Sequence, residues 1–348
     1  RYLIAIALLF CSVSIHAQLV PKDAEPEKVA DGYKFTEGPA LGPDGCIYFT
    51  DIPAELILKF DPETGKTTTF RENSDKTNGL VWKNQNLYTC AHGARAVRYY
   101  MFNESERAIY KRANERKRGK ETKDGLFGPE HTNIDVPIVI VDSWSIYTDE
   151  DETKLKQIKL NSPNDLAIDK EGNIYFTDPR YGNRDNMEMK IEGVYYHGDA
   201  RHDDNPNSIY TVTRRIDRDL VRPNGIILSP DESILYVADN GANYIYAYDI
   251  ESPGKVKNKR VFGRINDGKG GGSDGMCVDQ QGRLYATGHG KVWCFEPTGQ
   301  LVATIAVGKQ TTNCTFGSDG KTLYITANKG LYRIKLNTDA PLEHATTD

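Results

Sequence analysis

NDLAIDKEGNIYFTD, residues 164–178, contains the unit from which the rest of the chain can be read. A residue with a side-chain oxygen opens a short apolar run, an Asp- and Gly-rich turn follows, and a strand centred on tyrosine ends the unit. The tyrosine strand recurs as CIYFTD (46–51), NLYTCA (86–91), NIYFTD (173–178), ILYVAD (234–239), RLYATG (283–288) and TLYITA (322–327). About eleven residues before Tyr48, Tyr88, Tyr175, Tyr236, Tyr285 and Tyr324 stand Glu37, Asn78, Asn164, Asn224, Asp274 and Asn313. The intervening turns are GPDG (42–45), KNQN (83–86), DKEG (169–172), SPDES (229–233), DQQG (279–282) and GSDG (317–320). Asp, Asn, Pro and Gly supply the backbone angles that tight hairpins require.

The units start at 37, 78, 164, 224, 274 and 313, so the steps are 41, 86, 60, 50 and 39 residues. Two steps match the roughly 40 residues of a four-stranded propeller blade, and the others are that length plus insertions. Third strands follow at 56–65, 96–100, 244–254, 291–299 and 330–336; in the unit starting at Asn164 the candidates are GVYYH (193–197) and SIYTVT (208–213). Helical periodicity is absent over any useful length, which excludes alternating βα units. The expectation is an all-β, six-bladed β-propeller. Glu27–Phe35 is expected to add an outer strand that closes the ring on the last blade.

With 348 residues, 38% hydrophobic and 27% charged, the chain can bury a large core, and 31 Gly with 20 Tyr fit an all-β fold. A formal net charge of −5 argues against nucleic acid as a partner. Tyr2–Ala17 (YLIAIALLFCSVSIHA), behind Arg1, has the form of a secretory signal peptide cleaved near Ala17–Gln18. The expected location is therefore periplasmic or secreted, with no membrane segment after cleavage. Residues 18–348 are expected to form one propeller domain with an inserted loop at about 103–158. That insertion carries a basic run, Arg107 to Lys123, and an acidic cluster, Asp149–Glu152. Its reading is a solvated loop or an extended hairpin, and RHDDNPN (201–207) is read as another exposed loop; either is a candidate lid. Cys46, Cys90, Cys277, Cys294 and Cys314 lack CxxC spacing and are expected to be buried, unpaired small hydrophobes.

Residues of equal phase in a propeller converge at one mouth of the central channel. Glu37 and Asp274 bring carboxylates; Asn78, Asn164, Asn224 and Asn313 bring amide oxygens. Such hard donors suit Ca²⁺, with Mg²⁺, Mn²⁺ or Zn²⁺ as alternatives. Asn-Gly and Asp-Gly pairs at 78–79, 224–225 and 274–275 also fit plain turns, but six positions in register do not.

FTEGPALGPDGCIYFTDIP (35–53), NSPNDLAIDKEGNIYFTDPRYG (161–182), RPNGIILSPDESILYVADN (222–240), DGMCVDQQGRLYAT (274–287) and NCTFGSDGKTLYITA (313–327) resemble bacterial gluconolactonases. Those proteins fall in the senescence marker protein/regucalcin-like lactonase superfamily of six-bladed propellers. The resemblance spans roughly residues 30 to 336. It implies a catalytic divalent metal held by Glu37, Asn164, Asn224 and Asp274, with Asn78 and Asn313 on the pocket wall. It implies a small-molecule lactone as substrate and metal-assisted hydrolysis of a cyclic ester, gluconolactone being the family substrate. Asp274 is the expected general base, a role as ligand alone being the alternative. His92 is similar in place to a histidine of the paraoxonases, but Asn78 stands where its histidine partner would be. Arg180 and Tyr181 are expected to shape the substrate pocket, because Ser162 replaces an arginine that animal members carry. Two other readings are hydrolysis of another ester or a phosphotriester, and a non-enzymatic, metal-stabilised binding module.

Two further motifs are set aside. Residues 271–275 satisfy G-x-S-x-G, but that nucleophile elbow needs a strand-to-helix turn. GKGGGSDG lacks the Walker order. Both are read as the glycine-rich approach to blade five, and His202 and His289 as structural.

Overall fold

The computed structural model describes residues 19–108, 137–147, 155–202, 205–266 and 272–339. Its elements are almost all strands. β1 (Glu27–Asp31) precedes blade 1, made of β2 (Thr36–Leu41), β3 (Ile47–Asp51), β4 (Leu56–Asp61) and β5 (Lys66–Arg71). Blade 2 is β6 (Thr77–Lys83), β7 (Asn86–Ala91), β8 (Ala96–Tyr100) and β9 (Ile138–Val141). A separate hairpin, β10 (Ser143–Tyr147) with β11 (Leu155–Lys159), follows it. Blade 3 is β12 (Leu166–Ile168), β13 (Ile174–Asp178), β14 (Gly193–His202) and β15 (Asn205–Asp217). Blade 4 is β16 (Pro223–Leu228), β17 (Ile234–Asp239), β18 (Tyr244–Ser252) and β19 (Lys255–Arg264). Blade 5 is β20 (Met276–Val278), β21 (Leu284–Gly288), β22 (Lys291–Phe295) and β23 (Leu301–Ala306). Blade 6 is β24 (Thr311–Phe316), β25 (Thr322–Ala327) and β26 (Gly330–Lys335), with β1 as its fourth strand.

Each blade is an antiparallel meander, and the expected closure is present: β1 pairs with β26, so first and last segments share one sheet. Such closure covers the edge that blade 6 would otherwise leave unpaired. Both candidates for the third strand of blade 3 are strands, GVYYH in β14 and SIYTVT in β15. Of RHDDNPN, read as an exposed loop, residues 201–202 and 205–207 belong to these two strands, and 203–204 lie outside the described residues. The interval read as an inserted loop, about 103–158, also supplies regular structure, namely β9 and most of the β10–β11 hairpin. The segment at residues 1–17 read as a signal peptide, the basic run beyond Arg107 and the acidic cluster at 149–152 lie outside the described residues.

The core is divided into wedges, one between each pair of neighbouring blades. Tyr48 packs with Leu80 and Trp82 between blades 1 and 2; Cys90, Val97, Leu166 and Phe176 fill the next gap. Tyr175 with Ile226, Tyr236 with Met276, Tyr285 with Phe316, and Tyr324 with Phe49 continue the series round the ring. This explains the periodic tyrosine: a large ring spans the gap to the adjacent blade, while its hydroxyl reaches a polar group at the blade's edge. Tyr48 and Tyr285 donate to turn aspartates Asp44 and Asp279, both at 2.9 Å. The five described cysteines are buried and unbonded, as expected; the Cys277 and Cys314 sulfurs approach to 3.4 Å as thiols.

Candidate active site

The local device that aims each polar residue at the axis is a β-bulge. In blades 1, 2, 4 and 6 the register between the first two strands slips by one residue at Glu37/Ala40, Thr77/Leu80, Pro223/Ile226 and Thr311/Asn313. An extra residue on the inner strand turns a side chain out of the pleat, a recurrent feature beside functional sites. In blades 3 and 5 the backbone N–H groups of Asn164 and Asp274 instead donate to Thr177 O and Thr287 O, each at 2.9 Å, just before the regular ladder begins.

The following glycine is explained by crowding at the axis. A Cβ on Gly38 would lie 2.1 Å from Asn78 O, and one on Gly225 2.4 Å from Asp274 O. Neighbouring inner strands are also stitched directly. Gly79 N–H donates to Asn164 O at 2.9 Å, and the Thr50 and Thr177 hydroxyls donate to Asn78 O at 3.2 Å and Asn224 O at 2.6 Å. At the outer end of the tyrosine strand, Asp51, Asp178 and Asp239 accept backbone N–H bonds from the segment entering the same blade. The Glu/Asn-Gly pairs are therefore contact points between blades, not hairpin turns.

Glu37, Asn78, His92, Asn164, Tyr181, Asn224 and Asp274 line one axial cavity of about 1100 Å³. Glu37 is 4% exposed, Asn164 4%, Asn224 5% and Asp274 8%. Burial pushes the Glu37 carboxyl well above its ordinary range, with the Asp274 charge adding and the Gly38 N–H opposing. Burial likewise pushes Asp274 well up, with Asp165 adding and Asn224 and the Gly275 N–H opposing. The Asp274 Oδ1 atom is buried with no hydrogen-bond partner. Two buried acids within electrostatic reach of each other, one with an orphaned oxygen, and asparagine amides on the same cavity wall fit the donor types of a hard divalent cation. No group of three His, Cys, Asp or Glu side chains that could hold a metal gathers among the described residues, so a cation here would depend on amide oxygens beside the two carboxylates.

Tyr181 reaches this set directly: its hydroxyl accepts from Asn224 Nδ2 at 2.8 Å, and burial followed by the Asp274 charge raises its pKa, so the phenol stays protonated. Arg180, its neighbour, does not line the cavity. Its guanidinium donates to Asn161 O at 2.7 Å, to Asn183 O at 2.8 Å and to Asn186 Oδ1, which fixes the loop that carries Tyr181. Asn78 Nδ2 lies 3.4 Å from His92 Nε2, so the imidazole pairs with an amide where a second histidine is absent. Asn313, expected on the pocket wall, does not line the cavity, because its Nδ2 is turned to Asp165 Oδ2 at 3.2 Å. Ser273 of the G-x-S-x-G string donates to Tyr244 O at 3.1 Å, and no helix follows it.

Sequence reasoning passed over Asp165. It is 7% exposed, and burial pushes its carboxyl up to about 7, with the Leu166 N–H and the Asn313 amide opposing. Its position next to Asn164 was the available signal. His289, read as structural, lines the cavity, as do Arg222, Asn240, Lys291 and Lys309.

Burial, helped by the Arg180 charge, lowers the His92 pKa to about 4. The imidazole is therefore neutral at pH 7. Because the unfolded chain takes up a proton near the ordinary value of about 6.5, His92 costs the fold stability progressively as pH falls from there to about 4. NMR titration of the His92 ring is expected to show its midpoint near 4. A midpoint above 6 would contradict the buried environment.

A closed six-bladed ring with an oxygen-lined axial cavity places the chain among the propeller hydrolases. The chain belongs to the family described as SMP-30/Gluconolactonase/LRE-like region, whose model matches residues 35–329. It is 28% identical to a gluconolactonase of Zymomonas mobilis over 90% of this chain and 81% of that protein. It is 25% identical to the lactonase drp35 of Staphylococcus epidermidis over 83% of this chain and 75% of that protein. A solved gluconolactonase from Xanthomonas campestris superposes with a TM-score of 0.67 at 25% identity, covering 90% of each chain.

Proposed function

We propose that this protein is a metal-dependent lactonase that opens a sugar lactone to the corresponding hydroxy acid. The observation that carries the metal part is the orphaned Asp274 Oδ1 beside the buried Glu37 carboxyl. Glu37, Asn164, Asn224 and Asp274 would hold a divalent cation, Ca²⁺ being the first choice for an all-oxygen set. When bound, such a cation polarises an ester carbonyl and makes a nearby water more acidic.

The chain's own groups do the rest. A carboxylate oxygen of Asp274 accepts a proton as water oxygen bonds to the carbonyl carbon; the ring C–O bond then breaks, and the departing oxygen takes a proton to become the product hydroxyl. Tyr181 fixes the Asn224 amide by accepting from its Nδ2. His92, neutral at pH 7, presents a hydrogen-bonding edge to the sugar hydroxyls together with Asn78. The leader at Tyr2–Ala17 would deliver this activity to the periplasm or the exterior.

The test is hydrolysis of glucono-1,5-lactone by pH-stat, before and after chelator treatment and after restoring Ca²⁺, Mg²⁺, Mn²⁺ or Zn²⁺. Turnover should vanish with chelator and return with one of the ions. Turnover that survives complete metal removal would rule out the metal mechanism. Chelator-sensitive thermal stability without cleavage of any ester would instead support a binding module.

A further inference from the structure

The cavity is wider than the catalytic floor needs. At about 1100 Å³ it exceeds the roughly 300–1,000 Å³ of ordinary small-ligand sites. Its floor holds Glu37 and Asp274, the only carboxylates among the described lining residues, and two such charges balance one divalent ion. The remaining full charges on the wall are positive and come from three separate segments of the chain. Arg222 lies just before β16, Lys291 begins β22, and Lys309 lies in the β23–β24 connection.

The placement of these cations is specific. Arg222 has φ of 56°, a left-handed conformation that a non-glycine residue adopts only when its surroundings impose it. Its guanidinium sits 5.9 Å from the centre of the Tyr181 ring, directly above the tyrosine whose hydroxyl holds Asn224. The Lys291 ammonium is 5.3 Å from the centre of the Trp293 ring. Asp31 is within electrostatic reach of Lys309 but does not line the cavity. Asn240, Gln310 and Thr311 add neutral polar groups between these cations.

We infer that the site selects lactones carrying a negatively charged group, a carboxylate or a phosphate, which the wall formed by Arg222, Lys291 and Lys309 receives while the ester lies over Asp274. The inference rests on the lactonase reading and gives its substrate class. A neutral sugar lactone uses only the floor; an acidic one also uses the wall, where opposite charges in a concave site raise both encounter rate and affinity.

The experiment compares D-glucono-1,4-lactone with D-glucaro-1,4-lactone, which differ only in a carboxylate at C6, and adds 6-phosphogluconolactone as the phosphate arm. Wild-type kcat/KM should favour at least one anionic lactone by about tenfold or more at low salt. That advantage should shrink as ionic strength rises, because an attraction between opposite charges is screened. The larger of the two anionic values distinguishes carboxylate from phosphate. Arg222→Gln combined with Lys291→Gln should lower the anionic-to-neutral ratio about tenfold, whereas Arg222→Lys, which keeps the charge, should retain most of it. Equal kcat/KM for all three lactones, or a ratio indifferent to salt and to the glutamine variants, would overturn the inference and leave the lactonase reading intact. If the neutral lactone is not cleaved either, the lactonase reading fails and this inference falls with it.

Discussion

Asp274→Asn is expected to lower kcat/KM for a lactone by about 10³-fold, yet to raise the melting temperature measured in chelator by a few degrees. The two effects have one origin. Asp274 shares the axial site with Glu37, Asp165 stands close behind them, and burial raises the carboxyl of each. A folded-state pKa above the unfolded value means that the ionised carboxylate opposes folding at neutral pH and ceases to do so once pH falls below about 4. Asparagine keeps the shape and removes the charge, so the cation-free fold gains stability. The same change removes the proposed proton acceptor and one of the two carboxylates proposed for the cation. A 10³-fold loss corresponds to about 4 kcal/mol of transition-state stabilisation, within the range for losing one well-placed electrostatic group. Glu37→Gln should behave alike, and neither variant should regain activity with added Ca²⁺. Kinetics by pH-stat and melting by calorimetry decide it. A variant within tenfold of wild type, or one that melts lower than wild type in chelator, would contradict the placement of these charges.

Much of this arrangement is legible in the chain because a propeller repeats one instruction. Strand, turn and tyrosine strand recur in phase, so the residue at the start of each unit is delivered to the same mouth. Glu37, Asn78, Asn164, Asn224 and Asp274 follow from that phase alone. Asn313 shares the phase but not the destination, because its amide is taken by Asp165 behind the ring. The outer strand β9 was hidden by the 37 residues that separate it from Tyr100. Arg180 and Tyr181 illustrate the limit of adjacency: consecutive residues on one loop point one side chain at the site and the other at the loop's own carbonyls. Arg222, Lys291 and Lys309 come from three segments unequally spaced along the chain, so no period marks them. Their convergence exists only once the ring has closed.

Gly225→Ala tests the closure itself and is expected to cost about 3 kcal/mol or more, a magnitude reached when a rigid core is overpacked. Gly225 has an ordinary backbone angle, so on local grounds alanine should stabilise the protein slightly by restricting the unfolded chain. Sterics reverse that sign. The added Cβ would lie 2.4 Å from Asp274 O and 2.8 Å from Gly275 Cα, and both atoms belong to the backbone of the adjacent inner strand rather than to a side chain that can swing away. Relief requires blades 4 and 5 to separate, which loosens the wedge of Tyr236, Ile245, Met276, Leu284 and Phe295 between them. It also moves Asn224 away from Asp274, so cation affinity should fall along with stability. Gly172→Ala is the comparison: its φ of 93° imposes a strain of about 1 kcal/mol, but open space surrounds it and the axial site is remote. Chemical denaturation and calcium titration of both variants separate the cases. If Gly225→Ala is no less stable than Gly172→Ala and binds the ion as wild type does, the inner strands are not in the close contact on which the convergence of Asn224 and Asp274 depends.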